Sequence, residues 1–129
     1  ALTREWLVLL LEEMVNPALA LFKVVGAAQL SHPSAASTVQ HDHVKYYRLF
    51  GRALAKAFTE GIAVPSRLSA TVIKQLLHQD GGHLADLLHH DKALHDSLSW
   101  ILSNDVAEAM LDQCFTADVD VLGDVKTVE

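Results

Sequence analysis

Between His41 and Glu60 the apolar residues Val44, Tyr47, Leu49, Phe50, Ala53, Leu54, Ala57 and Phe58 recur at three- and four-residue spacings. A stripe with that period can be buried only along one side of an α-helix, so this segment must be helical and must be covered. His41 or Asp42 opens the helix, and Gly61 is a natural stop because glycine takes the left-handed conformation that ends helices. A second stripe, Trp6, Leu7, Leu10, Leu11, Met14 and Val15, predicts a helix over 3–15 with Thr3 as its cap. Asn16-Pro17 should end it, since the residue before a proline is pushed out of the α region.

The remaining segments are shorter. Leu19, Leu21, Phe22, Val24 and Val25 form an apolar stretch, extended or loosely turned, that closes at Gly26. Residues 29–41 are small and polar with no helical or strand period, and read as a connecting loop. Leu68, Val72, Ile73, Leu76 and Leu77 predict a further helix opened at Ser66 or Ser69 and broken at Gly81-Gly82. Two short helices follow, over 83–88 and 92–102, the second capped by Asp91, and 106–112 is a further helical candidate. Alternation at Val119 and Val121 around Gly123 favours a strand or hairpin within 115–128. The fold class is therefore mainly α, within α+β, with six or so helices and a little strand near the C-terminus.

Composition limits what such a chain can do. With 129 residues it holds one domain, and with 50% hydrophobic and 20% charged residues it can bury a core. Ten Lys and Arg against sixteen Asp and Glu leave a net charge of −6, the wrong sign for neutralising phosphates, so nucleic acid is not the expected partner. The eight histidines would carry that charge to +2 if all were protonated, so surface electrostatics should change steeply around pH 6.5. The longest apolar run, residues 7–11, meets Glu12 and Glu13, and no membrane partner is expected. A single cysteine, Cys114, excludes an internal disulfide and suits a reducing compartment, cytoplasmic or also nuclear. The start, Ala1-Leu2-Thr3-Arg4-Glu5, lacks Met and a signal-peptide layout, which suggests a segment of something longer.

Cys114 is the only candidate thiolate, but Asp112 and Asp118 lie near it and negative charge raises a thiol pKa, so a buried small hydrophobe is the better reading. His41-x-His43 and the group His83, His89, His90 and His95 invite a metal reading, and Asp86/His90 and Asp91/His95 have one-turn spacing. That spacing is common by chance, and solvent-facing or hydrogen-bonded histidines are the better expectation. No Gly-x-Ser-x-Gly elbow and no phosphate-binding glycine loop occurs, Gly81-Gly82 being more simply a turn. The expectation is no catalytic residue, no metal and no cofactor in this chain. One feature is left: Leu94, Leu98, Ile101 and Leu102 share a helical stripe with Trp100 beside it, either core or a groove for another protein.

Several phrases in a common order carry a family resemblance. They are Thr3-Arg4-Glu5-Trp6 leading to Glu13-Met14-x-Asn16-Pro17 and Leu21-Phe22; Tyr47-Arg48-Leu49-Phe50-Gly51-Arg52-Ala53-Leu54-Ala55-Lys56-Ala57; Leu84-Ala85-Asp86-Leu87; and Ser97-Leu98-x-Trp100-Ile101-Leu102-x-Asn104-Asp105, followed by Phe115 and Gly123. Together they resemble the N-terminal lobe of HECT-type ubiquitin ligases. The resemblance implies a ligase that accepts ubiquitin from a ubiquitin-conjugating enzyme onto a cysteine of a separate C-terminal lobe and passes it to a protein substrate. Cys114 does not occupy that cysteine's position, so the parent protein would be the enzyme and this chain alone would not be.

On the same resemblance, residues 1–82 correspond to the large helical part of the lobe and 83–129 to an incomplete small subdomain that binds the conjugating enzyme. Leu94 and Leu98 match the family's hydrophobic groove, with Ile101 and Leu111 as further members, while Trp100 would pack underneath and hold the helix. A partner aromatic residue in that groove would bury apolar area worth roughly 2 kcal/mol. The implied partners are the conjugating enzyme, ubiquitin indirectly, and a substrate held by regions outside this chain. Where some members carry tyrosines after Asn-Pro to hold a further ubiquitin, this chain has Ala18 and Leu19, so that surface is not carried over. The alternative is a non-catalytic helical scaffold, or structural subunit, derived from such a lobe.

Overall fold

The computed structural model of the chain describes residues 2–64, 67–105, 116–121 and 123–128. The helix expected over 106–112, together with Leu111 and Cys114, lies outside the described residues. The described elements are α1 (Leu2–Met14), β1 (Phe22–Val25), β2 (Leu30–Pro33), α2 (His43–Thr59), α3 (Ala70–Leu76), α4 (Leu84–His90), α5 (Lys92–Ser103), β3 (Ala117–Val121) and β4 (Asp124–Val128). Short 3-10 turns occupy Pro17–Leu19 and Ala35–Val39. Five helices and two antiparallel hairpins, β1–β2 and β3–β4, make the described chain mainly helical with a hairpin near its C-terminus.

The two longest helices form where periodicity predicts them, although α1 already includes Leu2, so that Thr3, expected as its cap, lies inside the helix. Asn16 ends α1 as expected: its Oδ1 accepts the Ala18 N–H at 3.0 Å, Pro17 takes the first position of a 3-10 turn, and Ala20 turns the chain at φ 57°. Gly61 closes α2 at φ +62°, and Arg4 of α1 donates to its carbonyl at 3.1 Å. Between α1 and α2 lies the core: Leu7, Leu11 and Met14 from one helix, Phe50, Ala53 and Ala57 from the other, with Leu21, Phe22 and Ile62. Phe22 sits at its centre, edge-on to Tyr47 at 5.4 Å and tilted against Phe50 at 5.0 Å.

The Tyr47 hydroxyl donates to the Leu21 carbonyl and fixes β1 over α2. Replacing Tyr47 with phenylalanine removes one of the two donors to that carbonyl, the Ser34 N–H at 2.9 Å remaining, and should cost about 1 kcal/mol. Thermal unfolding followed by circular dichroism checks this; a midpoint unchanged from the parent would show that the hydroxyl contributes nothing net.

Residues 29–41, read as loop, contain β2 and a 3-10 turn. The four-residue turn 26–29, with Gly26 at φ +66° and Gln29 at φ 53°, folds β2 back on β1, pairing Phe22 with Pro33, Lys23 with His32, Val24 with Ser31 and Val25 with Leu30. Periodicity misses β2 because Leu-Ser-His-Pro neither alternates nor carries a β-branched residue; Ser31 is buried there by backbone pairing on both edges. The Ser31 N–H donates to the Arg67 carbonyl at 2.7 Å, and the Ser31 carbonyl accepts from Ser69 N–H at 2.9 Å, so the segment before α3 adds itself to the hairpin. Helix α3 is also shorter than its stripe suggests. It ends at Leu76 and the chain turns at His78, φ 52°, before Gly81-Gly82 is reached, leaving Leu76 and Leu77 exposed.

Candidate functional site

The leucine stripe singled out in the sequence belongs to α5, and local capping sets where that helix begins. Asp91 is in an extended conformation and its Oδ1 accepts the Leu94 N–H at 3.0 Å, satisfying one of the free donors of the first turn. Lys92 pairs with Asp96 one turn on, and His95 Nδ1 lies 3.0 Å from the same carboxylate. Lys92 first, then His95, holds the Asp96 carboxyl below its usual range. At the far end the Asn104 side chain donates to the Trp100 carbonyl at 2.7 Å. The helix is thus closed at both ends by its own residues.

α4 precedes it and packs against it. Asp86 anchors α4 twice: its Oδ2 accepts the His83 N–H at 3.3 Å, and its Oδ1 is paired with Lys74 of α3. The Lys74 ammonium, with help from the His83 and Gly82 N–H groups, holds the Asp86 carboxyl below its usual range against the opposing effect of desolvation. This ion pair ties α4 to α3.

At about 100° per residue, Leu94, Leu98 and Ile101 fall within a roughly 60° arc of α5, and Trp100 stands on the other side of the helix, at least about 100° from each. Leu98 and Ile101 are partly buried, whereas Leu94 is 45% exposed. The stripe is therefore partly covered at Leu98 and Ile101 and open at Leu94, and none of it belongs to the core between α1 and α2. Trp100 is 50% exposed, which corrects the expectation that it packs underneath: its position on the helix turns it away from the α4 contact, and Leu98 and His95 take the covered side. Leu102 is exposed at the last turn. Leu111, the fourth residue of the stripe's implied groove, lies outside the described residues.

His43 Nδ1 is 3.1 Å from the Gln40 carbonyl, and Asp86, one turn from His90, is already engaged by Lys74. Among the described residues no group of three or more His, Cys, Asp or Glu side chains converges on one point. Among them, too, no helix is long and apolar enough to cross a membrane. Sequence reasoning missed a contact at the base of α4, where the His89 carbonyl closes on Gly26 and the His90 ring meets His32. The one available signal was the turn glycine between two short extended runs, which marks a hairpin and hence a position for His32.

Comparison with known proteins extends over these same elements. A family model described as HECT-domain (ubiquitin-transferase) matches residues 8–129. The E3 ubiquitin-protein ligase ptr1 of Schizosaccharomyces pombe is 34% identical over 128 residues, 98% of this chain and 4% of that protein. The E3 ubiquitin-protein ligase TOM1 of Saccharomyces cerevisiae is 29% identical over 127 residues, 98% of this chain and 4% of that protein. The E3 ubiquitin-protein ligase HACE1 of Bos taurus is 30% identical over 125 residues, 97% of this chain and 14% of that protein. The chain thus spans a small part of the length of each relative. Since the family match runs from the middle of α1 through the closing hairpin and takes in α4 and α5 entire, the chain belongs to the HECT-domain family.

Proposed function

We propose that this chain is the part of a HECT-type ubiquitin ligase that recruits a ubiquitin-conjugating enzyme, and that α5 is the docking element. Residues 1–82 are then the large helical part and 83–129 the small one that meets the enzyme. Ubiquitin would pass to a cysteine elsewhere in the ligase, and the substrate would be held by other regions. The names of the relatives, all E3 ubiquitin-protein ligases, support this kind of role. The observation that carries it is the exposure of Leu94 on a helix capped at both ends, beside Leu98 and Ile101 on the same arc. A rigid helix with an exposed leucine edge is a ready anchor site, because a partner side chain can bury apolar area there with little ordering cost. Leu111 belongs to the same proposed groove.

Titrating the isotope-labelled chain with a panel of ubiquitin-conjugating enzymes, followed by amide NMR, tests the reading. Saturable shifts centred on residues 94–111 are expected. Leu94→Asp should weaken that association at least about tenfold, since it removes apolar burial and places a charge in the interface. The α2 amides should be unmoved in the variant, because Leu94 lies outside the core. A folded spectrum with no shifts against any enzyme would overturn the recruitment role and favour the scaffold reading.

A further inference from the structure

α4 is seated on the β1–β2 hairpin by a contact made of two imidazoles. The His32 ring of β2 meets the His90 ring at the end of α4 edge to face, centroids 4.5 Å apart. His32 Nδ1 lies 2.9 Å from Ser69 Oγ, and Ser69 is 2% exposed. The His90 Nδ1 is buried with no hydrogen-bond partner among the described residues. Beneath α4, next to this pair, Val25, Leu30, Ser69, Asp86, His89 and His90 line a cavity of only about 10 Å³, room for one water at most.

The groups facing the pair are known from each neighbouring element. From β1, Lys23 is the cross-strand partner of His32. From the segment before α3 comes the Ser69 hydroxyl, and from α3 itself Lys74, which is bonded to Asp86 of α4. Asp91, just past His90, gives Oδ1 to the Leu94 N–H. Among the described residues neither imidazole is ion-paired with a carboxylate, and Asp86, which lines the cavity with His90, is taken by Lys74, so a proton placed on His32 has no ion-pair partner and meets Lys23 as a like charge.

We propose that the His32–His90 contact is a pH-operated clasp, closed when the His32 ring is neutral, which releases the α4–α5 segment from the β1–β2 hairpin when that ring is protonated. Its chemistry is independent of what α5 binds. Burial, then His90, then Lys23, hold the His32 imidazole below its ordinary value near 6.5, so the closed state binds the proton less well than the open one. The sign follows by linkage: the clasp's contribution is complete above about pH 6.5 and is lost as pH falls from there toward the lowered value. Asp86 stays ionised throughout, its carboxyl being held below the ordinary 3.8, so the Lys74 tie does not titrate in this window.

Hydrogen-exchange protection factors of the chain between pH 7.5 and 5.5 test the proposal. For amides of α4 and β2 they should fall up to about tenfold per pH unit for each proton taken up below about pH 6.5, while those of Phe50, Ala53 and Ala57 in α2 hold. His32→Asn, whose amide can replace the bond to Ser69, should flatten the dependence, and His90→Leu, which removes one ring but leaves His32 under burial and Lys23, should reduce it. If His32→Asn loses α2 protection as well, His90→Leu and the NMR titration of the His32 ring decide, with a midpoint below 6.5 expected. A fall that persists in His32→Asn, a fall unchanged in size in His90→Leu, a fall shared equally by α2, or a His32 midpoint at or above 6.5 would each overturn the clasp.

Discussion

Replacing Gly26 with alanine is expected to unseat α4, at a cost of roughly 3 kcal/mol or more. Gly26 has φ +66°, where a side chain is strained, and an added Cβ would fall inside the contact shell of the His89 carbonyl oxygen and 3.2 Å from its carbon. Both partners are backbone, so neither can rotate away. Gly61 is the internal control: its φ is +62°, yet nothing lies within 4 Å of a Cβ built there. Gly61→Ala should therefore show the conformational cost alone, about 1 kcal/mol. Hydrogen exchange of α4 and thermal unfolding of both variants separate the two effects. Equal behaviour of Gly26→Ala and Gly61→Ala would show that α4 does not depend on this approach.

Leu11→Ala should be the most damaging change in the large helical part. Leu11 is 0% exposed and is held between α1 and α2 among Leu7, Met14 and Phe50. Truncating it removes apolar burial and leaves a cavity that rigid neighbours fill poorly, for a loss of roughly 3 kcal/mol. In a chain of this size that lowers the unfolding midpoint by on the order of 10 °C. Leu9, on the exposed side of the same helix, should tolerate alanine within about 0.5 kcal/mol. Calorimetry of the two variants gives the comparison, and a Leu11→Ala midpoint matching that of Leu9→Ala would place the core elsewhere.

The elements that could be read from residues alone are those whose cause is local. α1, α2 and α5 follow from apolar residues three and four apart, and their ends follow from Asn16-Pro17, Gly61 and Asp91, each acting within one turn of its own position. The closing hairpin follows from alternation around Gly123, which adopts φ +93° at the turn. The arc shared by Leu94, Leu98 and Ile101 follows from helix geometry once α5 exists. Which of its members are covered does not: Leu98 and Ile101 are partly covered, whereas Leu94, between them on the arc but in the first turn of α5, is exposed, and Trp100, expected underneath, is half exposed on another side of the helix.

Pairing between distant segments is where local reading fails. β2 carries Leu-Ser-His-Pro, a run with no strand-like side chains, and becomes a strand because β1 and the residues beside Leu68 both offer it backbone partners. The His89 carbonyl against Gly26, and His90 against His32, join parts of the chain far apart in sequence and leave no periodic trace in either. Sequence by itself determined the course of α1, α2 and α5, the ends set by Asn16-Pro17, Gly61 and Asp91, and the family, because those depend on residue types at short and ordered spacings. Tertiary structure alone decided how α4 and α5 are seated and which leucines face outward, because such contacts depend on surfaces that exist only after the chain has folded.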